Sequence, residues 1–142
     1  LPMVSNAYGF EKIIGYTPVF GLLSAFRCGF DQTFYDGDMD YTLVPNFLLK
    51  NIVEPYIIVA SGDSMKPTIC DGDVLIIDTA IKPRHGEAGA FVLNGEFIVK
   101  RLINNNFSWY LKSDNSEYEN RKITDNDNFN PLGRVVKIIK EL

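Results

Sequence analysis

Residues 88–103 read AGAFVLNGEFIVKRLI, two runs of β-forming residues joined by Asn94-Gly95. A two-residue hairpin loop needs positive φ at its central positions, and Asn-Gly meets that need at the lowest cost. The stretch therefore reads as a hairpin, and its texture extends to both sides. Upstream lie Tyr56 to Ala60 (YIIVA) and Val74 to Asp78 (VLIID); downstream lie Phe107 to Lys112 and Arg134 to Ile139. The separators are turn formers: Asp71-Gly72-Asp73, Lys82-Pro83-Arg84-His85-Gly86 and the loop Asn104-Asn105-Asn106. The expectation is a mostly-β domain with twisted, partly barrel-like sheets and short helices. Val44 to Asn51 (VPNFLLKN), with Pro45 near its front, is expected to be one such helix. Residues 1–28 carry Pro2, Gly9, Gly15, Pro18 and Gly21, and read as an extended arm with one strand at Thr17 to Leu23. The acidic stretch Asp31 to Asp40 reads as a surface loop.

At 142 residues, 46% hydrophobic and 23% charged, the chain has the size and balance of one globular domain. The net charge of −4 argues against a general phosphate-backbone binder, which is normally basic. No apolar run approaches the roughly 18–20 residues of a membrane span. Cys28 and Cys70 are too few for a disulfide framework. A single histidine, His85, leaves no room for a two-histidine metal site, and no cofactor is expected. His85 itself reads as a surface turn residue, Cys70 as packed, and Trp109 and Tyr110 as core or dimer-contact aromatics. The chain begins at Leu1, which is expected of a fragment or a processed protein.

Two segments carry chemistry. The first is Ser61-Gly62-Asp63-Ser64-Met65-Lys66-Pro67-Thr68. Gly62 and Pro67 bracket Ser64 at the end of an apolar strand, where a sharp strand-to-helix turn would expose the hydroxyl beside free backbone N–H groups. Taken alone, a helix cap at Ser64 or Asp63 is the commoner role. The second is Gly95-Glu96-Phe97-Ile98-Val99-Lys100-Arg101-Leu102. Strand alternation puts Phe97, Val99 and Arg101 on one face and Ile98, Lys100 and Leu102 on the other. Burial disfavours the ammonium form of a lysine, and a neutral lysine beside a serine can act as its general base. An isolated lysine more often reaches out to solvent.

Taken together, Ser-Gly-Asp-Ser-Met-x-Pro-Thr, Asp-Gly-Asp and Gly-Glu-x-x-Val-Lys-Arg-Leu resemble the LexA-type serine–lysine self-cleaving peptidases, which include the phage CI-type repressors and UmuD. The resemblance implies a LexA/signal-peptidase-like β fold, Ser64 as nucleophile, Lys100 as base, and the backbone N–H groups of Ser64 and Met65 as the oxyanion site. It also implies an internal substrate, and Cys28-Gly29 is the matching bond; a glycine after the scissile carbonyl lets the backbone approach closely. Within the resemblance Ala25-Phe26 is the weaker candidate, because Phe26 fills the place of the family's glycine; without the resemblance, Cys28 reads as a surface or core thiol. Residues 1–30 would then be an arm carrying the cleavage site, and 31–142 the peptidase and dimerisation domain.

The expected role is the C-terminal domain of a helix-turn-helix repressor of the phage or SOS type. It would be cytoplasmic and homodimeric, with no membrane contact. A RecA–single-stranded DNA filament would act as co-protease, and operator DNA would be held only through a separate N-terminal domain. Three alternatives stand beside it: a UmuD-like subunit of a translesion polymerase, a signal-peptidase-like enzyme acting in trans, and a dimerisation domain that no longer cleaves.

Overall fold

The computed structural model describes the backbone of residues 3–5, 11–13, 15–27, 30–31 and 40–141, and the side chains of 15–21 and 41–141. The described chain forms β1 (Met3–Ser5), β2 (Glu11–Ile13), β3 (Tyr16–Arg27), β4 (Phe30–Asp31), β5 (Asp40–Pro45), a single 3-10 turn (Asn46–Leu49) and β6 (Pro55–Ser61). It continues through β7 (Val74–Asp78), β8 (Ala88–Leu93), β9 (Glu96–Asn105), β10 (Ser108–Lys112), β11 (Arg121–Ile123) and β12 (Phe129–Ile139). Strands β1 and β2 pair with each other. The rest make one ten-stranded sheet, ordered β11-β10-β9-β8-β12-β7-β6-β3-β5, with β4 also paired to β9. Only β3 and β6 are parallel among these pairs, so the sheet is mixed, and it is open. The mostly-β class expected from the sequence is the class observed.

The predicted hairpin is β8–β9, with Asn94 at φ 52° and Gly95 at φ 86° and Leu93 opposite Glu96. The central strands read as continuous apolar runs because both of their faces are buried. One face of β6–β9 contributes Ile58, Ala60, Leu75, Ile77, Ala90, Phe97 and Val99 to a single core. The opposite face feeds two others, one around Ile57 and Ile76 and one around Phe91, Ile98 and Leu102. The alternation predicted for β9 is thus the one found. Lys100 belongs by parity to the face of Ile98 and Leu102.

Three local expectations are corrected. Val44 and Pro45 end a strand, and the helix is only the 3-10 turn Asn46–Leu49. Proline pushes the residue before it to extended geometry, and pairing of β5 with β3 (Val44 opposite Thr17) completes the strand. The predicted strand Thr17 to Leu23 runs from Tyr16 to Arg27, because β3 gains a second partner in β6. Trp109 is exposed and Tyr110 half-buried, so of the two roles expected for them, core or dimer contact, the core one is not met. Of the expected loop Asp31 to Asp40, the ends belong to β4 and β5, and 32–39 lie outside the described residues.

Gly21 shows how tightly β3 is seated. A Cβ there would lie 1.7 Å from the Ile57 carbonyl oxygen on β6. No rotamer relieves a clash with backbone, so Gly21→Ala is expected to cost about 3 kcal/mol or more. Urea unfolding of the variant beside the wild type checks it.

Candidate functional site

Ser64 stands in the turn that leaves β6. The expected helix does not form: residues 64–68 are a run of turns, in which Lys66 N donates to Asp63 O (3.2 Å) and Ile69 N to Met65 O (3.0 Å). Pro67 lacks the N–H that a continuing helix would use, and the Lys66–Pro67 peptide is cis. Burial fixes the turn in place. Met65 and Ile69 are fully enclosed in the β6–β9 core, each worth roughly 1.5–3 kcal/mol of transfer free energy.

The acidic residues that follow are structural ties. Asp71 Oδ1 accepts from Gly62 N (2.9 Å), and Asp73 Oδ2 accepts from Cys70 N (2.7 Å) and from Lys140 Nζ. Burial alone would raise the Asp73 carboxyl, but these bonds outweigh it and hold the group below its ordinary value. Cys70 is half-buried, with its thiol 3.8 Å from Pro67 O. His85 is exposed, as expected, and its Nδ1 accepts from Asn104 N (2.9 Å).

The result is that Ser64 is only 5% exposed, and among the described residues its Oγ has no hydrogen-bond partner. An unmet buried hydroxyl costs about 1–3 kcal/mol, and such groups gather where function demands them.

Lys100 lies on β9 where that strand changes partner. Beyond it, Arg101 to Asn105 pair with β10; before it, Glu96 and Phe97 pair with Asp31 and Phe30 of β4. Lys100 Nζ donates to Ser113 Oγ (2.7 Å) and lies 5.6 Å from the centre of the Tyr118 ring. The segment 113–118 also holds the serine turn. Asn115 N donates to Ser64 O (3.0 Å), Asn115 Nδ2 to Asp63 O (3.0 Å), Asp114 N to Met65 Sδ (3.4 Å) and Tyr118 Oη to Asp63 Oδ1. Arg101 grips the same segment by a two-pronged ion pair with Asp114 (2.8 and 2.7 Å). That guanidinium holds the Asp114 carboxyl below the usual carboxylate range. One segment therefore ties both sequence-predicted residues, Ser64 through its carbonyl and Lys100 through its side-chain nitrogen. Sequence patterning gives Ser113, Asn115 and Tyr118 no role. The predicted cleavage pair, Cys28 and Gly29, lies outside the described residues.

A second buried carboxylate gives the fold its acid limit. Asp78, 2% exposed at the end of β7, accepts from the backbone N–H groups of Val53 (3.1 Å), Glu54 (3.1 Å) and Ala80 (3.0 Å). Burial raises its pKa, but the three donors prevail and the folded value is depressed. A depressed carboxyl contributes stability above its unfolded value near 3.9, lost as pH falls through the folded value. Unfolding free energy is therefore expected to fall as pH drops below about 4. Asp78→Asn should blunt that loss and cost about 1–3 kcal/mol at neutral pH. Denaturant titrations from pH 7 to 2 test both.

A buried serine and a lysine tied to one loop thus stand on an open, mostly-β sheet. A family model described as Peptidase S24-like matches residues 18–136, and the chain belongs to that family, one of serine peptidases of the self-cleaving kind. Over 88 residues it is 33% identical to the LexA repressor of Syntrophotalea carbinolica, covering 61% of this chain and 44% of the relative. Over 59 residues it is 36% identical to Protein ImpA of Salmonella typhimurium and of Escherichia coli, covering 41% of each chain. The chain thus spans less than half the length of these curated relatives. Among the described residues, no helix is long and apolar enough to cross a membrane.

Proposed function

We propose that this chain cuts its own Cys28–Gly29 bond with Ser64 and Lys100. Neutral Lys100 takes the Ser64 proton as Oγ attacks the Cys28 carbonyl carbon. The backbone N–H groups of Ser64 and Met65 steady the oxyanion. The C–N bond then breaks, Lys100 returns the proton to the Gly29 amine, and water hydrolyses the acyl ester to restore Ser64.

The observation that carries this reading is the pairing of the flanking strands. Arg27, at the end of β3, pairs with Ser61 beside the serine turn, and Phe30, at the start of β4, pairs with Phe97 on the lysine strand. Both flanks of the bond are thus attached to the elements that bear Ser64 and Lys100. Attachment in one chain replaces a bimolecular encounter with an intramolecular one, and effective molarities then become very large. N-terminal sequencing of the large product tests the bond. A new terminus at Gly29 is expected, and one elsewhere overturns the assignment.

In the wider protein, residues 1–30 act as the arm and 31–142 as the peptidase and dimerisation domain of a cytoplasmic helix-turn-helix repressor. The similarity to a LexA repressor supports this role. Cutting would separate two half-site contacts held by a dimer, and operator affinity would collapse. A RecA–single-stranded DNA filament is the proposed co-protease. A second reading, a UmuD-like polymerase subunit, is favoured by Cys28-Gly29-Phe30 and Gly95-Glu96-Phe97 and keeps the same chemistry. The coding sequence upstream of Leu1 separates the two: a helix-turn-helix supports the repressor, and a nearby start codon the polymerase subunit.

A further inference from the structure

We propose that Ser113 is the positioning residue of the lysine: its hydroxyl fixes Lys100 Nζ and sets the pH at which that amine becomes a base. The β9–β10 register places it there. Arg101 pairs with Lys112, so the next step of the antiparallel ladder sets Lys100 opposite Ser113. Cross-strand neighbours point to the same face, and the 2.7 Å bond from Nζ to Oγ closes the gap. Ser113 is 4% exposed, so water does not replace it freely. Its own position is fixed on both sides, by Leu111 in the core and by Asp114 in the grip of Arg101.

A hydroxyl suits both states of the lysine. It accepts from the ammonium and can turn its own proton toward the neutral amine. Nζ thus keeps its place through the proton transfer, while Ser64 Oγ stands without a partner among the described residues. As an acceptor, Ser113 also favours the charged form, so it delays deprotonation to higher pH. Among the described residues, Tyr118 presents its ring to Nζ, and the carboxylates of the same two segments are engaged elsewhere, Asp63 by Tyr118 Oη and Asp114 by Arg101. From β8, the residue opposite Lys100 is Gly89, which does not titrate.

The rate arm of the test rests on the self-cleavage reading; the titration arm does not. In the uncleavable Ser64→Ala chain, NMR of ε-13C-labelled lysine follows Lys100, with Lys100→Arg assigning the peak. Adding Ser113→Ala is expected to move the Lys100 midpoint down by about one pH unit, the equivalent of one lost charge-assisted hydrogen bond. In the otherwise wild-type chain, Ser113→Ala is expected to lower the plateau cleavage rate roughly ten- to a hundredfold, because Nζ loses the bond that orients it. Its pH–rate curve should shift to lower pH. Ser113→Thr, which keeps the hydroxyl, should stay within about threefold of wild type with the curve in place. An unmoved Lys100 midpoint overturns the proposal even if the variant is slower or less stable, and so do Ala and Thr variants that behave alike. A wild-type chain that never cleaves would sink the self-cleavage reading, and the Lys100 midpoint would still decide the role of Ser113.

Discussion

Ser64→Ala is expected to leave the chain whole under conditions where the wild type divides, a loss on the order of 10⁴-fold or more. The substitution removes one oxygen from a nearly enclosed site whose hydroxyl has no partner among the described residues. No described hydrogen bond is broken, so the fold should gain stability, not lose it: deleting an unmet buried hydroxyl relieves its desolvation cost. Reduced cleavage with an equal or higher unfolding midpoint therefore separates chemistry from folding. A Ser64→Ala chain that still divides at the wild-type rate would remove the serine from the reaction.

Lys100→Ala is expected to have an effect of similar size, and the pH dependence of the wild type should identify why. A lysine base works only when neutral. Below its titration the neutral fraction rises tenfold per pH unit, so the rate should climb with that slope and then level off. The sign is fixed by the role: a group needed as ammonium would give a rate that falls in the same range. A rate flat from neutral to about pH 10 contradicts Lys100 as base, since that interval spans any plausible lysine titration. Lys100→Ala also leaves Ser113 Oγ without its donor and Tyr118 without the cation near its ring. Some loss of stability should accompany it, and the pH slope distinguishes catalysis from that loss.

The parts of the structure that could be read from sequence are those governed by local chemistry. Asn94-Gly95 announced its hairpin because few other pairs tolerate positive φ at both positions. Val74 to Asp78 could be read as a strand because Val74 to Ile77 are all apolar, and it is strand β7. What escaped was set by distant partners. Val44 and Pro45 have helix-like neighbours but are held in a strand by Thr17 and Tyr16, far back in the chain. Strand β11, Arg121–Ile123, is three residues long, two of them charged, and exists by pairing with β10. The first half of β12 contains Asn130, Pro131 and Gly133, which argue locally against a strand. There the register with β8 shifts between Pro131 and Gly133, so the chain absorbs the irregularity as a bulge.

The site divides in the same way. Ser64 and Lys100 stand in short motifs whose composition is unusual enough to be noticed. Ser113 and Tyr118 become partners of Lys100 only through the β9–β10 register and the path of the loop beyond it. Those are long-range facts. The turn after Ser64 departs from the expected helix because a proline three residues on is equally at home in a first helical turn and in an irregular one. Burial of Met65 and Ile69 decided the matter.

The most direct test of the account is an intact-mass time course of the purified wild-type chain at alkaline pH, followed over a hundredfold dilution. Self-cleavage predicts two fragments, one ending at Cys28 and one beginning at Gly29, with a first-order rate that does not change with concentration. A chain that stays whole, with or without RecA filaments, or a rate that falls in proportion to dilution, would contradict it.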